Sequence, residues 1–200
     1  MRMPKHPNIV PFDSLVVDRI DGVDRVVGFT TRYIPGGTLY ENKERVFKLK
    51  YLEQLINVVD HLNLRLGIVH GDICPWHLLI DAETDCIQLF DFNWAAKLGW
   101  EGDGEDGWRF RYDAERNDVK FVMFTVYELI TREFCFAEEF YPHELDASKI
   151  QRKRKWTKHP DTKLDRPVEE YRRVLDEWVA RRTEADKVVD HSTKALDTGL

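Results

Sequence analysis

Asp72 and Asp91 are the residues of this chain best suited to chemistry. They sit in the stretch from Ile68 to Asn93, which reads I-V-H-G-D-I-C-P-W-H-L-L-I and then I-Q-L-F-D-F-N. Oxygen ligands of this kind suit a hard cation such as Mg²⁺, and a second carboxylate beside such an ion can take a proton or orient a hydroxyl. That pairing is phosphoryl-transfer chemistry in outline. Each carboxylate lies at the mouth of a short apolar strand. Gly67-Ile68-Val69-His70 is a brief β-like approach, and Leu78-Leu79-Ile80 and Ile87-Gln88-Leu89-Phe90 are strand-sized runs joined by the turn-rich Asp81-Ala82-Glu83-Thr84-Asp85.

The flanking elements follow from periodicity. Ser14 to Arg19 and Val23 to Ile34 are β-rich runs on either side of Asp21-Gly22, a dipeptide that favours a tight hairpin turn. From Phe47 to Leu66 apolar residues recur at Leu52, Leu55, Ile56, Val59, Leu62 and Leu66, which predicts a helix stopped by Gly67. Asp118 is the expected N-cap of a second helix, apolar on every side through Ile130 and therefore central to a domain. A third helix is expected from about Pro167 to Val189, with Tyr171, Val174, Trp178 and Val179 on one face, and a frayed tail from His191. The acids and glycines of Glu101 to Gly107 predict a mobile tip, in a segment whose one phosphorylatable residue is Tyr112. Lys149 to Lys155 reads as a solvated basic loop, with a nuclear address or docking patch as the alternative.

Composition narrows the function classes. Two hundred residues with 42% hydrophobic and 12% aromatic content suit one globular domain, and a net charge of -6 gives no global attraction to nucleic acid or an anionic membrane. Cys74, Cys86 and Cys135 form no C-x-x-C pair, the N-terminus lacks the apolar run of a signal peptide, and no stretch approaches the length of a membrane span. A reducing compartment, cytoplasm or nucleus, is the expectation.

His70-Gly71-Asp72 followed by Pro75 and His77 resembles the catalytic loop H-R-D-x-x-x-x-N of the protein kinase superfamily, and Asp91-Phe92-Asn93 resembles its D-F-G. The run opened by Asp118 resembles the family's central αF helix, whose first Asp ties down the catalytic-loop backbone. Phe29 to Leu39 looks like the fifth strand, the hinge and the start of the next helix, and His6-Pro7-Asn8-Ile9-Val10 like the turn after αC. The resemblance covers roughly Lys5 to Thr131. It implies an α+β fold with residues 1–34 as a remnant of the N-lobe, 35–190 as the helical C-lobe and 191–200 as a disordered tail. No Gly-rich strand pair and no V-A-I-K-like strand precedes the His-Pro-Asn turn, so an N-terminally truncated kinase is expected.

The same resemblance implies the site. Asp72 would be the catalytic base or hydroxyl-orienting group and Asp91 a Mg²⁺ ligand. His77 would stand where the family has its second metal ligand, an Asn. Tyr33 and Ile34 at the hinge and Leu79 at the floor would hold the adenine of ATP, while His70, Phe92 and Asp118 would be structural. Cys74 stands where protein kinases have a phosphate-neutralising Lys, and is expected to be a small packing residue rather than a nucleophile. Gly71 in place of Arg gives H-G-D, the form seen in small-molecule kinases resembling aminoglycoside and choline phosphotransferases. Three functions stay open: a protein Ser/Thr kinase, a pseudokinase scaffold binding a protein partner, and a small-molecule phosphotransferase. Weak Mg²⁺-ATP binding is expected, with self-association through the exposed hairpin edge.

Overall fold

The computed structural model describes residues 5–101, 112–133 and 144–196, with side chains of the last helix described as far as Thr183. Turn chemistry sets the first element. Asp21 and Gly22 both take left-handed angles (φ 53° and 78°), as a two-residue type I′ turn requires, so β1 (Phe12–Ile20) runs antiparallel to β2 (Val23–Thr31). Register shifts between Phe12 and Ser14 and between Val16 and Val17 bend this ribbon. The preceding Asn8 to Val10 lies along a different strand. Leu89 N donates to Asn8 O (2.9 Å), and Val10 N donates to Leu89 O (3.0 Å).

Leu89 closes β5 (Cys86–Leu89), the antiparallel partner of β4 (Leu78–Asp81). Their Leu78, Ile80, Ile87 and Leu89 are buried in the main core. β3 (Ile68–Val69), the expected β-like approach, pairs with β6 (Ala96–Lys97), a strand the sequence reading did not include.

The expected helix over Phe47 to Leu66 is realised as α1 (Leu49–Asp60) running into one turn of π-helix, His61–Arg65. Phe47 stays outside because its amide donates to Lys163 O (2.9 Å) and it bridges Leu164 in an extended conformation. Gly67, at φ 63°, turns the chain out of the helix into β3. α2 (Asp118–Thr131) is buried on nearly every side. Its N-cap is Asn117, whose side chain accepts from Lys120 N (3.1 Å), and not Asp118 as the sequence suggested. α3 (Ala147–Arg152) anchors the basic run through buried Ile150 and Trp156. α4 (Val168–Leu196) extends past His191, where a tail was expected, and lays Tyr171, Leu175 and Trp178 on the core.

Among the described residues, no helix is long and apolar enough to cross a membrane. Cys135 and most of the acidic tip, from Gly102 onward, lie outside the described residues.

Candidate functional site

The loop from His70 to His77 is held by buried polar contacts. The Asp118 carboxylate accepts from His70 N (2.8 Å), Gly71 N (2.8 Å) and Asn63 Nδ2 (2.7 Å). Capping by Asn117 is what leaves the Asp118 carboxylate free for this. From below, Thr125 Oγ1 donates to Ile73 O (3.0 Å). From the side, Arg116 Nη1 donates to Gly71 O (2.9 Å) while its guanidinium stacks 3.6 Å from the Trp94 ring centre.

Gly71 is required here by the backbone. It sits at φ 77°, and a Cβ at that position would lie 2.6 Å from the Trp94 carbonyl oxygen. His70 is fully buried. Its Nδ1 accepts from Asp72 N (3.3 Å) and its Nε2 faces Phe90 O (3.0 Å), a pattern that assigns the neutral ring with its proton on Nε2. Burial holds its pKa below the usual histidine value, against the opposing pull of Asp118. The Phe92 ring packs 4.7 Å from it.

His77 stands between the paired carboxylates. Its Nδ1 is 3.5 Å from Asp72 Oδ2, and its Nε2 is 3.4 Å from Asp91 Oδ2. Both acids are about one-third exposed, so the pair faces a solvent-accessible opening. Nδ1 also contacts the Asp72 carbonyl (2.7 Å) and Cys74 Sγ (3.4 Å). Burial, reinforced by the Asp72 charge, pushes the Cys74 thiol up to about 12, which removes it as a nucleophile at neutral pH. Asp91 itself takes the left-handed angle of its loop (φ 64°), and Asn93, whose amide donates to Asp91 Oδ1 (3.3 Å), does not. The tolerance of Asn for such angles therefore does not explain its place here.

The adenine-site expectations divide. Ile34 is buried, Leu79 is half-buried on β4, and Tyr33 is 84% exposed with its ring in water. A G-x-G-x-x-G spacing does occur at Gly102 to Gly107, but its intervening residues are Asp103, Glu105 and Asp106, which repel phosphate, and it lies outside the described residues. As a donor set for Mg²⁺ the site fits in part. Asp91 offers the hard oxygen the ion needs, whereas the His77 nitrogen and Cys74 sulfur are the wrong donors for it.

No family model matches the chain. Over 110 residues, 52% of this chain, it is 36% identical to CBL-interacting serine/threonine-protein kinase 16 of Arabidopsis thaliana, covering 22% of that protein. It is 33% identical over 102 residues to CBL-interacting protein kinase 15 of Oryza sativa subsp. japonica, covering 48% of this chain and 22% of that one. Over about half of its length the chain is similar to these protein kinases. It spans about a fifth of the length of these relatives. The solved structure of the Cydia pomonella Granulovirus kinase PK-1 aligns with 72% of this chain and 59% of its own, at 18% identity and a TM-score of 0.49.

The residues that sequence reasoning passed over belong to a polar relay from α4 to the loop. Arg182 is buried, and its Nη1 donates to Asp60 Oδ1 (2.9 Å) and its Nη2 to Asn63 Oδ1 (3.2 Å). Asn63 in turn holds Asp118. Trp178 Nε1 shares the Asp60 oxygen (2.9 Å). A signal was available: Arg182 continues the Tyr171, Leu175, Trp178 stripe at helical spacing, and a charge at a core position demands a partner.

Proposed function

We propose that this chain carries a protein kinase-type phosphoryl-transfer site in which Asp72 orients or deprotonates a substrate hydroxyl and Asp91 is the one good ligand for Mg²⁺. The observation that carries the reading is the Asp118 carboxylate holding the backbone of His70 and Gly71, so that Asp72 is presented beside Asp91 on a rigid loop. Residues 1–34 are assigned to the last strands of an N-lobe and 35–190 to a C-lobe, with Ile34 and Leu79 beside the adenine of ATP. Protein Ser/Thr is the substrate class, in line with what the name of the Arabidopsis relative says of that kinase.

Transfer by this site is slow. With His77 in place of a metal-binding Asn and Cys74 in place of a phosphate-neutralising Lys, charge on the transferring group goes unanswered. Each lost preorganised contact lowers the rate about 10²–10³-fold. The test is a radiolabelled ATP assay on a generic basic protein, run beside Asp72→Asn and Asp91→Asn. Activity near background in all the samples, with weak Mg²⁺-ATP binding lost in Asp91→Asn, is expected. Robust wild-type activity would overturn the slow-transfer reading, and turnover of choline or an aminoglycoside alone would move the substrate to small molecules.

A further inference from the structure

We propose that Asp72, Cys74 and His77 form a Zn²⁺ site, with Asp72 Oδ2, Cys74 Sγ and His77 Nδ1 as its protein ligands. These side chains come from one short loop, and their donor atoms all lie within 4.8 Å of one another. A tetrahedral zinc bound at its usual distances places its ligand atoms roughly 3.3–3.7 Å apart. Cys74 Sγ to His77 Nδ1 is 3.4 Å and His77 Nδ1 to Asp72 Oδ2 is 3.5 Å, so two of the three ligand edges already have the needed length, and the third, from Asp72 to Cys74, lies within 4.8 Å.

The surroundings fit as well. A metal-binding imidazole characteristically points its other ring nitrogen at a carboxylate, which fixes the tautomer. Here Nε2 lies 3.4 Å from Asp91 Oδ2. Binding breaks the His77 Nδ1 hydrogen bond to the Asp72 carbonyl (2.7 Å), moves that proton to Nε2 and releases the Cys74 thiol proton to solvent, since a coordinated thiol is deprotonated outright. The Asp72 carboxylate and the thiolate then neutralise the dication. The partial exposure of Asp72 leaves a fourth position open to water. A thiolate and an imidazole select Zn²⁺ over Mg²⁺, so the misfit to Mg²⁺ becomes a fit to a softer ion.

The proposal does not depend on nucleotide binding, Asp72 serves as base only in the zinc-free chain, and the test contains no ATP. Co²⁺ is titrated into the metal-free full chain and followed by its absorption spectrum. The expected result is one equivalent bound, with a thiolate-to-cobalt charge-transfer band that Zn²⁺ abolishes and excess Mg²⁺ does not. Cys74→Ser loses the band and Cys86→Ser keeps it. Asp91→Asn keeps the band and binds Zn²⁺ about 10–100-fold more weakly. Zn²⁺ raises the melting temperature of wild type and not of Cys74→Ser, and the melt of that variant in chelator reports whether it folds. Should it fail to fold, His77→Asn replaces it, with loss of the band expected. A wild type without the band, or a band that survives in Cys74→Ser or its replacement His77→Asn, overturns the site and leaves a hydrogen-bonded cluster only.

Discussion

The β1–β2 and β4–β5 hairpins obey opposite rules. β1 and β2 are nine residues each and rich in valine and phenylalanine, yet Leu15, Val17, Val26 and Phe29 are all more than half exposed. β4 and β5 are four residues each, and Leu78, Ile87 and Leu89 are completely buried. The long ribbon is made by its turn and its cross-strand pairs, both local. The short one is made by what lies on it: α1 on one side, the Asn8 to Val10 segment along its edge, and the Asn8 side chain on Ile87 O (2.9 Å). Hydrophobicity makes a strand available for burial, and only a partner element buries it.

The largest effects belong to the short hairpin and the loop beside it. Leu89→Ala is expected to lower stability by about 2–5 kcal/mol, while Leu15→Ala shifts it by no more than about 0.5 kcal/mol. Urea denaturation of both variants measures the contrast, and equal losses would show that the long ribbon is packed in solution. Asp118→Ala leaves the buried amides of His70 and Gly71 without an acceptor and should cost about 3–5 kcal/mol by the same measurement.

Glycines at nearly equal φ sharpen the comparison. Gly71→Ala meets both the left-handed strain and the Trp94 carbonyl, so about 2–3 kcal/mol is expected. Gly22→Ala has open space around it and should cost only the strain, about 1 kcal/mol. Melting temperatures of the pair decide it.

A smaller effect is a pH dependence carried by His70. Burial keeps its folded pKa below the ordinary 6.5, so the unfolded chain takes up the proton first. Stability is complete above pH 6.5 and is lost as the pH falls toward the folded value. A melting temperature lower by a few degrees at pH 5 than at pH 7.5 is expected, with a flatter profile in His70→Gln; His6, lowered by burial and by His61, adds to the slope in the same direction. The smallest change in stability is expected for Val17→Thr with Val26→Thr, which should leave the melt unmoved and reduce self-association in sedimentation velocity.

Much of this was legible from residue order. The Asp21-Gly22 turn, the apolar spacing of α1 and the uniform apolarity of α2 each mark their element locally, and the spacing of His70-Gly71-Asp72 and Asp91-Phe92-Asn93 marked the loops. Less legible was what depends on partners far along the chain. The strand Ala96–Lys97 exists because Ile68 and Val69 lie beside it. The start of α1 was misplaced because Lys163 claims the amide of Phe47.

The sequence by itself determined which donor groups the loop can offer, since a carboxylate, a thiol and an imidazole have their donor properties wherever they stand. It also determined the tight turns, whose left-handed angles few residues accept. Tertiary structure decided which groups meet. Asp118 reaches a loop 47 and 48 residues away because α2 is buried beneath it, and Arg182 reaches Asn63 across 119 residues because α4 packs on α1. Contacts at such separations arise only when the core has excluded water and fixed the helices, so no local pattern could have announced them.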